Sequence, residues 1–401
     1  MKRIEDIMQY VEEHHLYPDL HVIDGAAEPE VIINGKKVLM FSSNNYLGLA
    51  THPKVVAAAI EATKKYGVGS GGSRMLSGNL QVHREYELAI AKFKGGEDAI
   101  VFSTGYQTNL GVISAVMNPF KVGPYDFFRR RSVILSDDLN HASIVDGAKA
   151  SGQKVVVYKH CDMNDLEKKL KKFKHRRKLV VTDGVFSMEG DIAPLDKIVT
   201  LCKKYNSLLM VDEAHATGVI GKNGHGTLEH FNLKPTTDVD IVMGTHSKAL
   251  SSVGGFVVGS KNLIKYLRIA SRPYIFSAAL PPAVSASLIT SLEVIESEPN
   301  LRVLLNKKSD DLRAKLNTLG FDTLGSQTQI VPVLIGEDEQ AIEFSRMLLD
   351  KGIYAPCVRW PAVPKHRARL RLTVMSTHSN DQIAYLIKCC ELIGKELKIL
   401  S

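Results

Sequence analysis

Between residues 98 and 260 the chain alternates short apolar runs with longer stretches of helical period. Ala99 to Phe102, Ser132 to Leu135, Lys154 to Tyr158, Leu179 to Thr182, Leu208 to Val211, Ile241 to Met243 and Phe256 to Val258 have the pattern of short buried strands. Helical stretches such as Gln107 to Val116 and Asp191 to Tyr205 lie between most of them. That alternation predicts right-handed βαβ crossovers and an α/β fold with a mostly parallel sheet flanked by helices. Upstream, Ile4 to Leu16 has the spacing of an amphipathic helix. Glu30 to Phe41, EVIINGKKVLMF, reads as a hairpin turning at Asn34-Gly35. Downstream, a long helix over Ala283 to Glu296 leads into alternating helices and strands that close with a helix over Gln382 to Leu397. The pattern divides the chain into an N-terminal helix and hairpin segment (1–50), a large α/β domain (51–282) and a C-terminal α+β domain (283–401).

Composition narrows the class. Apolar residues make up 44% of the 401 and charged residues 23%, ordinary for a globular enzyme-sized chain. No run approaches the ~18 apolar residues of a membrane span, and the charged N-terminus lacks the apolar stretch of a signal peptide. The five cysteines have neither metal-ligand spacing nor a disulfide framework, so no metal and a cytoplasmic setting are expected. The formal charge of +8 is concentrated in Lys168 to Lys178 and Arg129 to Arg131. The first run reads as the solvated end of an amphipathic helix, with no recognition pattern for nucleic acid. A polyanionic substrate or an anionic membrane surface suits the charge better. The aromatic and basic segment Asn118 to Ser132 leaves three readings open: peripheral membrane contact, a grip on CoA phosphates, and packing against a partner subunit.

Candidate chemistry gathers at two strand ends. Lys248 follows the Ile241–Met243 run through a polar turn and precedes the small-residue bend Ser251 to Gly255. An unpaired ammonium cannot sit inside, so this lysine belongs at the mouth of two buried strands, where desolvation lowers its pKa and frees an amine for Schiff-base chemistry. A solvated lysine on a turn is the plainer alternative. The Leu208–Val211 run ends in Asp212-Glu213-Ala214-His215, and ligands in α/β folds sit beyond the carboxyl ends of strands. An aspartate, a histidine and a lysine at one such edge are the set that pyridoxal phosphate (PLP) requires.

VDEAHATGVIG followed by GTHSKALSSVGGF resembles the α-oxoamine synthase family of PLP enzymes. The resemblance runs from about Asn45 to His378. It implies the fold-type I aminotransferase-like architecture, with Lys248 as the Schiff-base lysine and general base, Asp212 on the pyridine nitrogen and His215 on the ring hydroxyl. By the same resemblance His141, in Leu-Asn-His-Ala-Ser, covers the ring, and Ser187 lies near the cofactor. Ser103, Thr104, Gly105 and Tyr106 hold the phosphate mainly through backbone contacts at a helix N-terminus, helped by Thr245 and Ser247. Ser277 and Ala278 reach the phosphate of a neighbouring subunit, which implies a homodimer with composite sites. Asn45 and Tyr46 line the entrance, and Arg371 holds the amino-acid carboxylate.

The implied reaction is decarboxylative condensation of a small amino acid with an acyl-CoA, giving an aminoketone, CoA and CO₂. GSGGSR, VFSMEGD and RLRLTV are nearest to members that join alanine to a pimeloyl thioester. THSKALSSVGGF is nearer to those that join serine to a long-chain acyl-CoA, and glycine C-acetyltransfer is a third form. An aminotransferase on the same fold would use Asp212 and Lys248 with a keto acid in place of the thioester.

Overall fold

In the computed structural model, which describes residues 2–13, 17, 20–119 and 132–400, the apolar runs become strands with few differences in extent. The chain opens with α1 (Lys2–Glu13), β1 (Ile23–Asp24), β2 (Glu30–Ile33), β3 (Lys36–Met40), α2 (Pro53–Tyr66) and α3 (Gln81–Lys94). Strands and helices then alternate: β4 (Asp98–Phe102), α4 (Gly105–Met117), β5 (Val133–Asp137), α5 (Ala142–Ala150), β6 (Lys154–Tyr158), α6 (Met163–Lys172), β7 (Lys178–Asp183), α7 (Leu195–Lys204) and β8 (Leu208–Asp212). Next come α8 (Thr227–His230), β9 (Ile241–Thr245), β10 (Gly255–Gly259), α9 (Lys261–Ala270) and α10 (Arg272–Ile275). The chain finishes with α11 (Pro282–Ser297), α12 (Asn300–Leu319), β11 (Ile330–Gly336), α13 (Asp338–Asp350), β12 (Ile353–Tyr354), β13 (Cys357–Val358), β14 (Ala368–Thr373) and α14 (Asn380–Glu396).

The main sheet has seven strands in the order β4-β10-β9-β8-β7-β5-β6. Pairs β5–β6, β5–β7, β7–β8 and β8–β9 are parallel, and β10 runs antiparallel to both β9 and β4. The reversal has a simple cause. Only the bend between Thr245 and Gly255 joins β9 to β10, too short for a crossover helix. Strands β4, β5, β7, β9 and β10 are buried at every position, which explains their uninterrupted apolar sequences. Parallel strands with one common direction place Asp183, Asp212 and Thr245 together at the carboxyl edge of the sheet.

The hairpin turns at Asn34 and Gly35, with φ of 51° and 75°, as a two-residue primed turn requires. Its second strand pairs in parallel with β12, Leu39 opposite Ile353, so the N-terminal hairpin shares a sheet with the C-terminal part of the chain. A third sheet, β11-β14-β13, carries Arg369 and Arg371 on its central strand.

The basic run is less uniform than its sequence suggests. Helix α6 buries Leu166 and Leu170 and exposes Lys168, Lys171 and Lys172, as expected, while Lys169 is half-buried and donates to Asp165 and the Val157 carbonyl. Lys178, however, is buried at the start of β7, where its ammonium donates to the carbonyls of Lys174 and Arg176. Arg129 to Arg131 and nearly all of the Asn118–Ser132 segment lie outside the described residues. No helix among the described residues is long and apolar enough to cross a membrane.

Candidate active site

The carboxyl edge of β7, β8 and β9 and the N-terminus of α4 enclose a cavity of about 350 Å³. That volume falls in the range of small-ligand sites, roughly 300–1,000 Å³. Thr104, Gly105, Tyr106, His141, Ser187, Asp212, His215, Thr245, Ser247 and Lys248 all line it. The sequence therefore brought ten of its candidates to one wall.

Lys248 stands in the turn between β9 and β10, and its Nζ lies 2.6 Å from His215 Nε2. Burial pulls the amine down to about 8; Asp212 and Asp183 oppose that pull, and Arg371 adds to it. Asp212 ends β8 with its carboxylate held by Asn109 Nδ2 at 2.8 Å and by the Ala214 N–H at 2.9 Å. Burial raises its pKa, and those two donors limit the rise. His215 is enclosed, and burial pushes its imidazole well below the ordinary histidine value. Its backbone carbonyl accepts from Gln329 Nε2 at 2.9 Å.

His141 caps α5, and its Nδ1 receives the Ser143 N–H at 3.2 Å. Desolvation lowers its pKa, so the ring on the cavity wall is neutral with its proton on Nε2. Its backbone N–H is anchored to Asp183 Oδ2 at 2.8 Å. One end of the cavity is formed by the N-terminus of α4, whose first turn is capped by Thr104, and by the hydroxyls of Thr245 and Ser247, 3.0 Å apart, an arrangement suited to an anion. The two turns approach so closely that a Cβ on Gly105 would stand 2.8 Å from Thr245 Oγ1. Tyr106, half-exposed at the rim, bonds to Asp146.

Other candidates stand apart from the cavity wall. Asn45 is buried; its Nδ2 donates to the Ala27 carbonyl and its oxygen accepts from Ser251. Tyr46 is fully buried, with its hydroxyl 2.7 Å from His215 Nδ1. Arg371 donates through Nε to the Ser187 carbonyl at 2.6 Å and reaches Asn44 Oδ1 at 3.4 Å. Ser103, Ser277 and Ala278 meet in a separate small hollow beside Arg74 and Tyr274, with Ser103 Oγ donating to the Ala278 carbonyl at 2.8 Å.

Three neighbours escaped the sequence reading. Asn109 lies four residues after Gly105 on the same face of α4, a spacing that could have revealed it. Asn44, rather than Asn45, faces Arg371, and nothing in two adjacent asparagines distinguishes them. Gln329 enters from β11's edge, some 114 residues from His215 in sequence.

A lowered lysine, a carboxylate with fixed donors, a neutral imidazole face and a helix N-terminus match the aldehyde, ring nitrogen, ring plane and phosphate of PLP. The donor set fits the cofactor, and with this sheet it defines a PLP enzyme of fold type I. Residues 36–389 match the family of class I and II aminotransferases. The chain is 46% identical to the 8-amino-7-oxononanoate synthase of Lysinibacillus sphaericus, covering 98% of both chains. It is 44% identical to the enzyme of that name from Thermoanaerobacter pseudethanolicus, covering 99% of this chain and 98% of that one. A solved serine palmitoyltransferase from S. paucimobilis, with PLP and myriocin bound, superposes with a TM-score of 0.91 at 35% identity over 99% of this chain and 98% of that one. The chain belongs to the class I and II aminotransferase family and, within it, to the α-oxoamine synthases, PLP-dependent acyltransferases.

Proposed function

We propose that this enzyme condenses alanine with a pimeloyl thioester, with loss of CO₂, to give an 8-amino-7-oxononanoate-type aminoketone. The observation that carries the reading is full-length identity of 44–46% to relatives bearing that name, against 35% to the serine palmitoyltransferase. Close superposition on that transferase favours serine with a long-chain acyl-CoA as the second reading. An equimolar mixture of alanine, serine and glycine with pimeloyl-, palmitoyl- and acetyl-CoA tests the choice by product mass. The alanine–pimeloyl aminoketone should dominate; dominance of the serine–palmitoyl product would replace this reading by the second.

When bound, PLP supplies an electron sink for the α-carbon of the amino acid. Lys248 would hold the cofactor by its aldehyde and, as a free amine, would take the α-proton of the amino acid; a pKa near 8 leaves part of it as free base at neutral pH. Asp212, its carboxylate held in place by Asn109, would pair with the ring nitrogen and keep it protonated. His141 would cover the ring face and position the thioester, and His215 would bond the ring hydroxyl. Ser187 lies near the cofactor. Thr104, Gly105 and Tyr106 offer the α4 N-terminus to the phosphate, with Thr245 and Ser247 on its other side. Arg371, with Asn44 beside it, grips the substrate carboxylate.

The enzyme works as a homodimer. Val68, Leu76 and Phe276, 85%, 86% and 70% exposed, lie on two adjoining segments joined by the Ser73–Ala278 bridge. Exposed apolar side chains gathered on adjoining segments mark a candidate contact surface. In the dimer, Ser277 and Ala278 complete the phosphate site of the partner, while Ser103 stays with the phosphate turn of its own chain. The five free cysteines suit a reducing cytoplasm. Sedimentation of the purified enzyme tests the dimer; a monomer with full activity would exclude composite sites.

A further inference from the structure

We infer that Tyr46 is a positioning residue that holds His215 as its Nδ1–H tautomer, so that Nε2 presents a lone pair to the Lys248 amine. The inference rests on the proposed role of Lys248 and adds a part to it.

The derivation begins at Arg371. A guanidinium carries five donors and no acceptor. Its two terminal nitrogens face one atom of the Asn44 side chain, each at 3.4 Å, so that atom is the amide oxygen and not the nitrogen. The Tyr46 hydroxyl lies 2.9 Å from the same oxygen. An amide oxygen only accepts, so the hydroxyl proton points at Asn44. The Tyr46 oxygen then has only lone pairs to offer His215 Nδ1 at 2.7 Å, and Nδ1 must carry the ring proton. A neutral imidazole has one N–H. Burial keeps His215 neutral, helped by the charges of Lys248 and Arg371, and burial likewise raises the Tyr46 hydroxyl against the opposing pull of Arg371 and Gln329 beside it, so it keeps its proton. Nε2, 2.6 Å from Lys248 Nζ, is left as an acceptor. Gln329, bonded to the His215 carbonyl, fixes the residue behind the ring.

The tautomer matters because of what it leaves free on Lys248. An acceptor at Nε2 takes one N–H of the amine and leaves its lone pair for the cavity. The opposite tautomer would aim an N–H at the amine and tie up that lone pair. Asp212, Asp183, His141 and Arg371 also act on Lys248, but through charge. Among the described residues, only His215 reaches the amine through a hydrogen bond and so sets the direction of its lone pair.

The test uses cofactor-free protein labelled with ¹⁵N-histidine, in a long-range ¹H–¹⁵N spectrum at pH 8. His215→Gln identifies the signals. A pyrrole-type Nδ1 and a pyridine-type Nε2 are expected in the wild type; the reverse pattern overturns the inference without any variant. Tyr46→Phe removes the acceptor and should give a mixture or the opposite tautomer. It should also shift the pH midpoint of PLP incorporation downward, because an N–H opposite Lys248 disfavours the ammonium. Asn44→Ala keeps the Tyr46 hydroxyl but frees its proton to turn toward Nδ1, and should change the spectrum in the same way. A packing role alone would lower stability and leave both tautomer and midpoint unmoved, and that result overturns the inference. Failure of the wild type to incorporate PLP would instead refute the proposed function, because the tautomer is read without the cofactor.

Discussion

Replacing Lys248 by methionine should make the cofactor-free protein more stable, by an amount that depends on pH. In the folded chain burial pulls this lysine from 10.5 to about 8. A depression of that size means the enclosed ammonium costs about 3 kcal/mol relative to water. Methionine has similar length and no charge. It also leaves His215 Nε2 without its donor, which costs about 1 kcal/mol. The net gain at pH 7 is about 2 kcal/mol. The sign follows from linkage. The folded pKa lies below the unfolded one, so between pH 8 and 10.5 the unfolded wild type binds more protons and wild-type stability rises with pH. The advantage of Lys248→Met is therefore full below pH 8 and gone near 10.5, where the lost hydrogen bond leaves the variant slightly weaker. Urea midpoints of both proteins at pH 7 and pH 10.5 measure this. A variant that is less stable at pH 7, or a difference that does not change with pH, would refute the burial argument on which the reactivity of Lys248 rests.

Arg371→Gln should raise KM for the amino acid by about 10–100-fold, as loss of a charge-assisted pair does, and leave KM for the acyl-CoA near its wild-type value; equal rises in both would remove Arg371 from the carboxylate. Lys94→Met should destabilise the fold by about 3 kcal/mol, because the buried Glu213 carboxylate loses its cationic partner at 3.2 Å and keeps the N–H and hydroxyl of Thr227. A calorimetric scan with an unchanged Tm would contradict that. His160, bridged by Asp137 and Asp191 at 2.9 Å each, has its pKa raised to about 12 despite partial burial, through those two carboxylates. Its folded pKa exceeds the unfolded one, so its contribution is full below about pH 6.5 and declines as pH rises toward 12. The stability gap between wild type and His160→Gln should accordingly narrow steadily above neutrality, and a constant gap would show that the bridge carries no charge.

Strands β4, β5, β7, β9 and β10 were legible because burial on both faces leaves an uninterrupted apolar run, and the edge strand β6, mostly unburied, was delimited residue for residue at Lys154–Tyr158 by its run of three valines. Helix α7 starts later than its sequence suggests because Val185 and Ile192 form a bridge that keeps the 184–194 segment in a loop. Partnerships across long separations were invisible. The parallel pairing of Leu39 with Ile353, and the union of Asn44 with Arg371, depend on how three sheets meet. At the site, residues flanking strand ends were readable, since strand direction alone brings Asp212 and Thr245 to one edge. The choice between Asn44 and Asn45 was not, because a loop has no period to assign faces. Lys178 resembled the rest of a solvated basic run, yet its ammonium folds back onto two carbonyls at the end of that run.

The most direct measurement is thiol release. Purified enzyme loaded with PLP is mixed with alanine and pimeloyl-CoA, and free CoA is followed with a thiol reagent beside the Lys248→Ala variant. Release that needs both substrates and Lys248, with one CO₂ formed for each CoA, is the expected result. No release with any pair of amino acid and acyl-CoA, together with discharge of the amino form of the cofactor by a keto acid, would make the protein an aminotransferase and contradict the account.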